Sequence, residues 1–261
     1  MESLSTSAPA TATLHEAITI LLRLVTQWPP AHRLPILDII RCVAADPAYA
    51  SQTNSQSASP INLTLRGALD VNTPVDSRSA DLADFVSEAD WAKINPKNVM
   101  LALRAVTNIF LTPDGRNLAT READSILAVL AYVAGVGEKQ GPFGATNDTF
   151  YHNMIIALVS AAFNFACLAY NERRQKLPTE AIDLGRLAQI FSISEAVIRN
   201  SDNGEVQFRA VMTAGMLLAS SDEAKELAKT LDVQVWLQAA SRQTSDKRVK
   251  AVVAECASYL E

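Results

Sequence analysis

The residues of this 261-residue chain that could carry chemistry are few: three cysteines and three histidines. Cys42, Cys167 and Cys256 are far apart and odd in number, with no Cys-x-x-Cys, so a disulfide framework is not expected and a reducing compartment fits. His15, His32 and His152 have no metal-ligand spacing. Cys42 with His32 or His152 as base would be a thiol hydrolase, the enzymatic alternative. Against it, Cys42 and Cys167 lie in apolar helical runs, where a free cysteine packs as a small core residue. Gly-x-Ser-x-Gly, His-Glu-x-x-His and Walker patterns are absent. The glycines from Gly135 to Gly144 follow a helical run, which does not suit a phosphate cradle. We therefore expect no catalytic residue, no metal site and no cofactor.

Polar residues on otherwise apolar helices are more informative. In NVMLALRAVTNIFL (98–111), Lys97, Leu101, Arg104 and Asn108 fall in one row. In NMIIALVSAAFNFACL (153–168), Asn153, Ser160 and Asn164 do the same, as do Glu205, Arg209 and Thr213 in EVQFRAVMTAGMLL (205–218). A helix apolar nearly all round is buried between neighbours, and its remaining polar strip marks the face left to solvent. In a curved array that strip lines the concave side. The expectation is one groove lined by Arg104, Asn108, Asn164 and Arg209. An asparagine can bond an extended peptide backbone, and an arginine fork grips a carboxylate or phosphate. The competing possibility is internal: the asparagines cap neighbouring helix ends, and the arginines form intramolecular ion pairs. Lys247, Arg248 and Lys250 read as a solvated charge cluster that could extend a basic groove. Asp81, Asp84 and Glu88 read as a solvated helical face.

The elements that must position these residues are helical almost throughout. Leu14, Ala17, Ile18, Leu21, Leu22 and Val25 give the helical spacing that Pro29 and Pro30 break. A second helix runs through Leu34 to Cys42. Ala50–Pro60 is a low-complexity tract, read as a surface loop with an irregular stretch on to Ser77. Asn95 caps a long helix with Pro96 at its first position. Thr112–Asn117 is read as a turn. Helices are then expected over 120–134, from Asp148 or Thr149 to about 170, and over 179–199, 205–220, 222–231, 233–239 and 245–260. Many helices with short links describe an all-α helical array in a single domain, spanning 14–261 with a variable insert at 51–77. Residues 1–13 are read as a disordered leader.

Composition narrows the function classes. A 49% hydrophobic content excludes disorder throughout, and a net charge of −5 disfavours a whole-molecule nucleic-acid footprint. Only nine glycines argue against propellers and doubly wound folds. The run from Tyr151 to Tyr170 is long enough to span a membrane, but Asn153, Ser160 and Asn164 would be costly in lipid, so a buried helix is expected instead.

Four segments resemble, in order, motifs of the PUL domain: WPPAHRLPILDIIRCVAADP (28–47), NVMLALRAVTNIF (98–110), HNMIIALVSAAFNFACLAY (152–170) and EVQFRAVMTAGMLL (205–218). The third match is the loosest, and Phe208 stands where the family usually has Tyr. The resemblance implies an armadillo-like fold of about six irregular repeats. It also implies a non-catalytic adaptor that binds the C-terminal tail of the valosin-containing AAA+ ATPase, the ubiquitin-dependent segregase, in support of protein degradation. The family's key arginines map to Arg104 and Arg209, its groove asparagines to Asn108 and Asn164, and a further arginine to Arg41. A monomeric domain in the cytoplasm or nucleus, without nucleic-acid or membrane partners, completes the expectation. The other alternative is a generic helical-repeat scaffold for another partner.

Overall fold

A computed structural model of the chain describes residues 8–52, 58–70, 94–136, 149–175 and 182–261. Among the described residues there are helices and no strands, and the architecture is that of an all-α helical-repeat domain. It divides into two compact units, Met1–Glu122 and Ala123–Glu261.

The first unit contains α1 (Ala8–Gln27), a 3₁₀ turn (Pro30–His32), α2 (Leu34–Val43), α3 (Pro47–Ala50), α4 (Pro60–Leu69), α5 (Pro96–Ile109) and α6 (Pro113–Arg121). Four of these helices start in the same way. Asp46, Ser59, Asn95 and Thr112 each accept a hydrogen bond from a first-turn N–H, and each is followed by a proline at the first helical position. The cap satisfies a donor that the helix cannot, and proline has no N–H to strand there. α2 packs on α5, and α4 packs on both α1 and α5. Ile18, Leu37, Ile40, Ile61, Leu103 and Ile109 are fully buried between them. Gly67 lets α4 approach α1 closely: a Cβ there would lie 2.6 Å from the Val25 carbonyl oxygen. Gly115 does the same at the start of α6, where a Cβ would meet the Ile109 carbonyl oxygen at 1.8 Å.

The second unit contains α7 (Ala123–Ala134), α8 (Thr149–Arg174), α9 (Leu184–Asn200), α10 (Gly204–Leu218), α11 (Asp222–Thr230), α12 (Val233–Gln243) and α13 (Lys247–Leu260). α10 is central, packed by α8, α9, α11 and α13. Gly135 closes α7 with φ 71°, a left-handed conformation that glycine adopts without a Cβ penalty. α8 is long and apolar enough to cross a membrane, but 56% of its most apolar window is buried within the fold. It therefore serves as a core helix of this unit.

The structure corrects several expectations. Helix α1 already runs from Ala8, so the leader read over 1–13 is helical in its second half. The insert read at 51–77 contains α4, in which Ile61, Leu63, Leu65, Ala68 and Leu69 are buried. The Ser/Gln/Asn composition before it reads as loop and hides the Ser59-Pro60 start. The turn read at Thr112–Asn117 is the first half of α6, for the same reason: Thr112-Pro113 is a cap and first residue. α8 extends to Arg174, four residues beyond the expected end, and α9 begins at Leu184 behind its Asp183 cap. The acidic helix expected over 79–88 lies outside the described residues.

Candidate peptide-binding site

In the first unit the polar row belongs to α5. Val99, Leu103, Val106 and Ile109 are buried on its packed sides, and Arg104 and Asn108 remain half-buried. Arg104 forms no hydrogen bond or ion pair with any described residue. A half-buried guanidinium with no acid paired to it among the described residues offers its fork to an external anion. One turn on, the Asn108 amide donates to the Arg41 carbonyl at 2.7 Å. That carbonyl belongs to the last turn of α2, where main-chain acceptors lack intrahelical donors. Asn108 thus does what the internal alternative anticipated: it caps a neighbouring helix end. The Arg41 side chain bonds Asp38, one turn earlier on α2, at 2.8 Å. Asn98, one turn before Leu101, is buried and donates to the Pro30 carbonyl at 3.0 Å, tying α5 to the 3₁₀ turn.

In the second unit α10 carries Arg209 and α8 carries Ser160 and Asn164. Arg209 donates through Nε to Glu205 at 2.8 Å and through Nη1 to the Ser160 hydroxyl at 2.9 Å. The Ser160 hydroxyl in turn donates to the Ile156 carbonyl at 2.7 Å, so its orientation is fixed. The other predicted member of the α10 row, Thr213, is fully buried and donates to the Arg209 carbonyl at 2.8 Å. The α10 row is therefore accessible at Glu205 and Arg209 and closed at Thr213. Asn164 is half-buried one turn beyond Ser160.

Glu205 has a second cation. Its other oxygen accepts from Arg248 of α13 at 3.0 Å, and Arg248 also bonds Asp246 at 2.7 Å. The Arg248 guanidinium lies 4.7 Å from the centre of the Phe208 ring, within cation–π range. Arg209 and Arg248 together hold the Glu205 carboxyl below the usual carboxylate range. The Glu205–Arg209 pair is open to solvent, with side-chain exposures of 36% and 41%. An exposed i,i+4 pair of this kind stabilises by only about 0.3–0.5 kcal/mol, so an incoming anion can compete with it. Arg248 is legible in the sequence only as a charge; its bond to Glu205 comes from a helix 43 residues away.

Cys42 is exposed and not packed as a core residue, whereas Cys167 is half-buried and Cys256 buried. Cys256 is buried and its pKa is pushed up to about 12 by desolvation; burial also raises that of Cys167. A nucleophilic thiol needs the opposite shift. Among the described residues no group of three His, Cys, Asp or Glu side chains is placed to hold a metal ion.

Taken together, the fold is an all-helical repeat, the class of a protein-interaction module. The PUL domain family model matches residues 1–255, nearly the whole chain and both compact units, and the protein belongs to that family of protein-binding helical domains. No curated protein matches the chain.

Proposed function

We propose that this PUL domain is a non-catalytic adaptor that binds the acidic C-terminal tail of the valosin-containing AAA+ ATPase and serves ubiquitin-linked protein degradation. The observation that carries the reading is the Arg104 guanidinium, half-buried on α5 and without an internal partner among the described residues. Family membership supports it. In this reading Arg104 and Arg209 pair with acidic groups of the tail, and Asn164 bonds its backbone. Asn108 contributes through whatever capacity its bond to Arg41 leaves, and Arg41 through its partly exposed guanidinium. The step is equilibrium recognition, with no bond made or broken.

Three free cysteines go with a reducing cytoplasmic or nuclear setting, which we infer along with a monomeric state. The test is a binding measurement with the intact ATPase and with the ATPase lacking its tail. Binding is expected only to the intact form. Arg104→Ala and Arg209→Ala should each weaken it by about 1–3 kcal/mol while the domain stays folded. Equal binding to both forms of the ATPase, or to the double variant, refutes the proposal.

A further inference from the structure

We propose that Glu205 is a resident anion that sets the selectivity of the Arg209 end of the site, and that Arg248 is the second cation there. An acidic ligand binds in this unit by taking over the pair of guanidinium groups that Glu205 now bridges. The inference rests on the tail-binding reading and adds to it the chemistry that the second unit selects.

The geometry carries it. Glu205 gives one oxygen to Arg209 at 2.8 Å and the other to Arg248 at 3.0 Å, so a carboxylate already sits across both cations. Each cation is also held by something other than Glu205. Ser160 fixes Arg209 at 2.9 Å. Asp246 fixes Arg248 at 2.7 Å, and the Phe208 ring backs it. Withdrawal of Glu205 would leave both guanidiniums aimed where they are. All three side chains are open to solvent, with Arg248 52% exposed. Arg209 Nη2 also has no acceptor among the described residues.

The consequence is selectivity for charge density. A ligand with one carboxylate only exchanges with Glu205 and gains little. A ligand with a terminal carboxylate next to an acidic side chain brings more charge than it displaces, and the exchange favours it. Arg104 has no such resident among the described residues and does not discriminate in this way.

The test uses the full chain and two short synthetic peptides. One carries two acidic residues beside a free C-terminal carboxylate; the other is its amide counterpart, with Asn and Gln in their place and a C-terminal amide. Binding is read by calorimetry and folding by circular dichroism. Glu205→Gln should raise the preference for the acidic peptide by about threefold or more, and Arg248→Ala should lower it. Glu195→Gln, which breaks the Glu195–Arg199 pair of the same i,i+4 spacing on α9, should leave it unchanged. A purely structural role for Glu205 would move the melting temperature and not the preference.

An unchanged or lower preference in Glu205→Gln overturns the inference. Loss of acidic-peptide binding in Arg104→Ala would then still uphold the tail-binding reading. If the unaltered chain binds neither peptide, a gain of acidic-peptide binding in Glu205→Gln supports the inference, and the measurement with the intact and tail-less ATPase decides the tail-binding reading. No gain overturns the inference.

Discussion

The side-chain amide of Asn108 donates to the main-chain carbonyl of Arg41 across 2.7 Å, joining α5 to the last turn of α2. Two residues singled out for binding a peptide are thus bonded to each other, one through its backbone. Asn108→Ala should destabilise the domain by about 1–2 kcal/mol, because it strands a partly buried acceptor. Asn108→Asp should cost at least as much, since a carboxylate cannot donate to a carbonyl. Urea denaturation measures both. Unaltered stability with lost peptide binding would show that Asn108 serves the ligand and not the helix end.

Arg33 is the most committed cation of the first unit. It is 3% exposed and donates to the Trp28 carbonyl at 2.6 Å, the Gly67 carbonyl at 2.8 Å and Asp70 at 3.1 Å. It joins the start of α2 to the end of α4. Arg33→Ala is expected to cost about 3–5 kcal/mol, because two carbonyls and the Asp70 carboxylate lose a buried donor together. Asp70→Asn should cost less. Asp70 is partly exposed, and asparagine tolerates its left-handed φ of 56°. Thermal melting of the two variants gives the order; the reverse order contradicts this account.

The cysteines should separate kinetically. Cys42 is exposed and Cys256 is buried against Gly215, whose added Cβ would lie 3.1 Å from the sulfur. Burial pushes the Cys256 thiol up to about 12, so almost no thiolate forms at neutral pH. A maleimide reagent under native conditions should label Cys42 first and Cys256 only on unfolding. Fast labelling at Cys256, mapped by mass spectrometry, would contradict the packing of α10 on α13.

Acid sensitivity should have a component at Asp124. Arg186 bonds both of its oxygens, at 2.7 and 2.9 Å, and holds its carboxyl below the usual carboxylate range. The folded pKa is lower than the unfolded one. The pair therefore stabilises the fold above the unfolded value, near 4, and is lost as pH falls through the folded value. Its exposure keeps the contribution within about 1 kcal/mol. Asp124→Asn should lower stability at neutral pH and flatten its decline below pH ~4. Parallel curves for the two proteins, from denaturation at stepped pH, would contradict this.

Much of this was legible in the chain. The apolar runs around Leu103, Leu158 and Val211 announced buried helices, and Asn95-Pro96 announced the start of α5. The family could be read from the same runs. Pairings could not be read. Nothing local links Arg248 to Glu205 or Asn108 to Arg41, because periodicity describes one helix at a time. The row through Glu205, Arg209 and Thr213 was sound as spacing, yet α8, α9, α11 and α13 crowd α10 and close it at Thr213. Helix α4 was missed because composition outweighed the Ser59-Pro60 start.

That helix sets a hard boundary on how the chain can be shortened. A deletion reaching Pro60–Leu69 would remove the wedge seated between α1 and α5, and with it the Gly67 carbonyl to which the buried Arg33 donates.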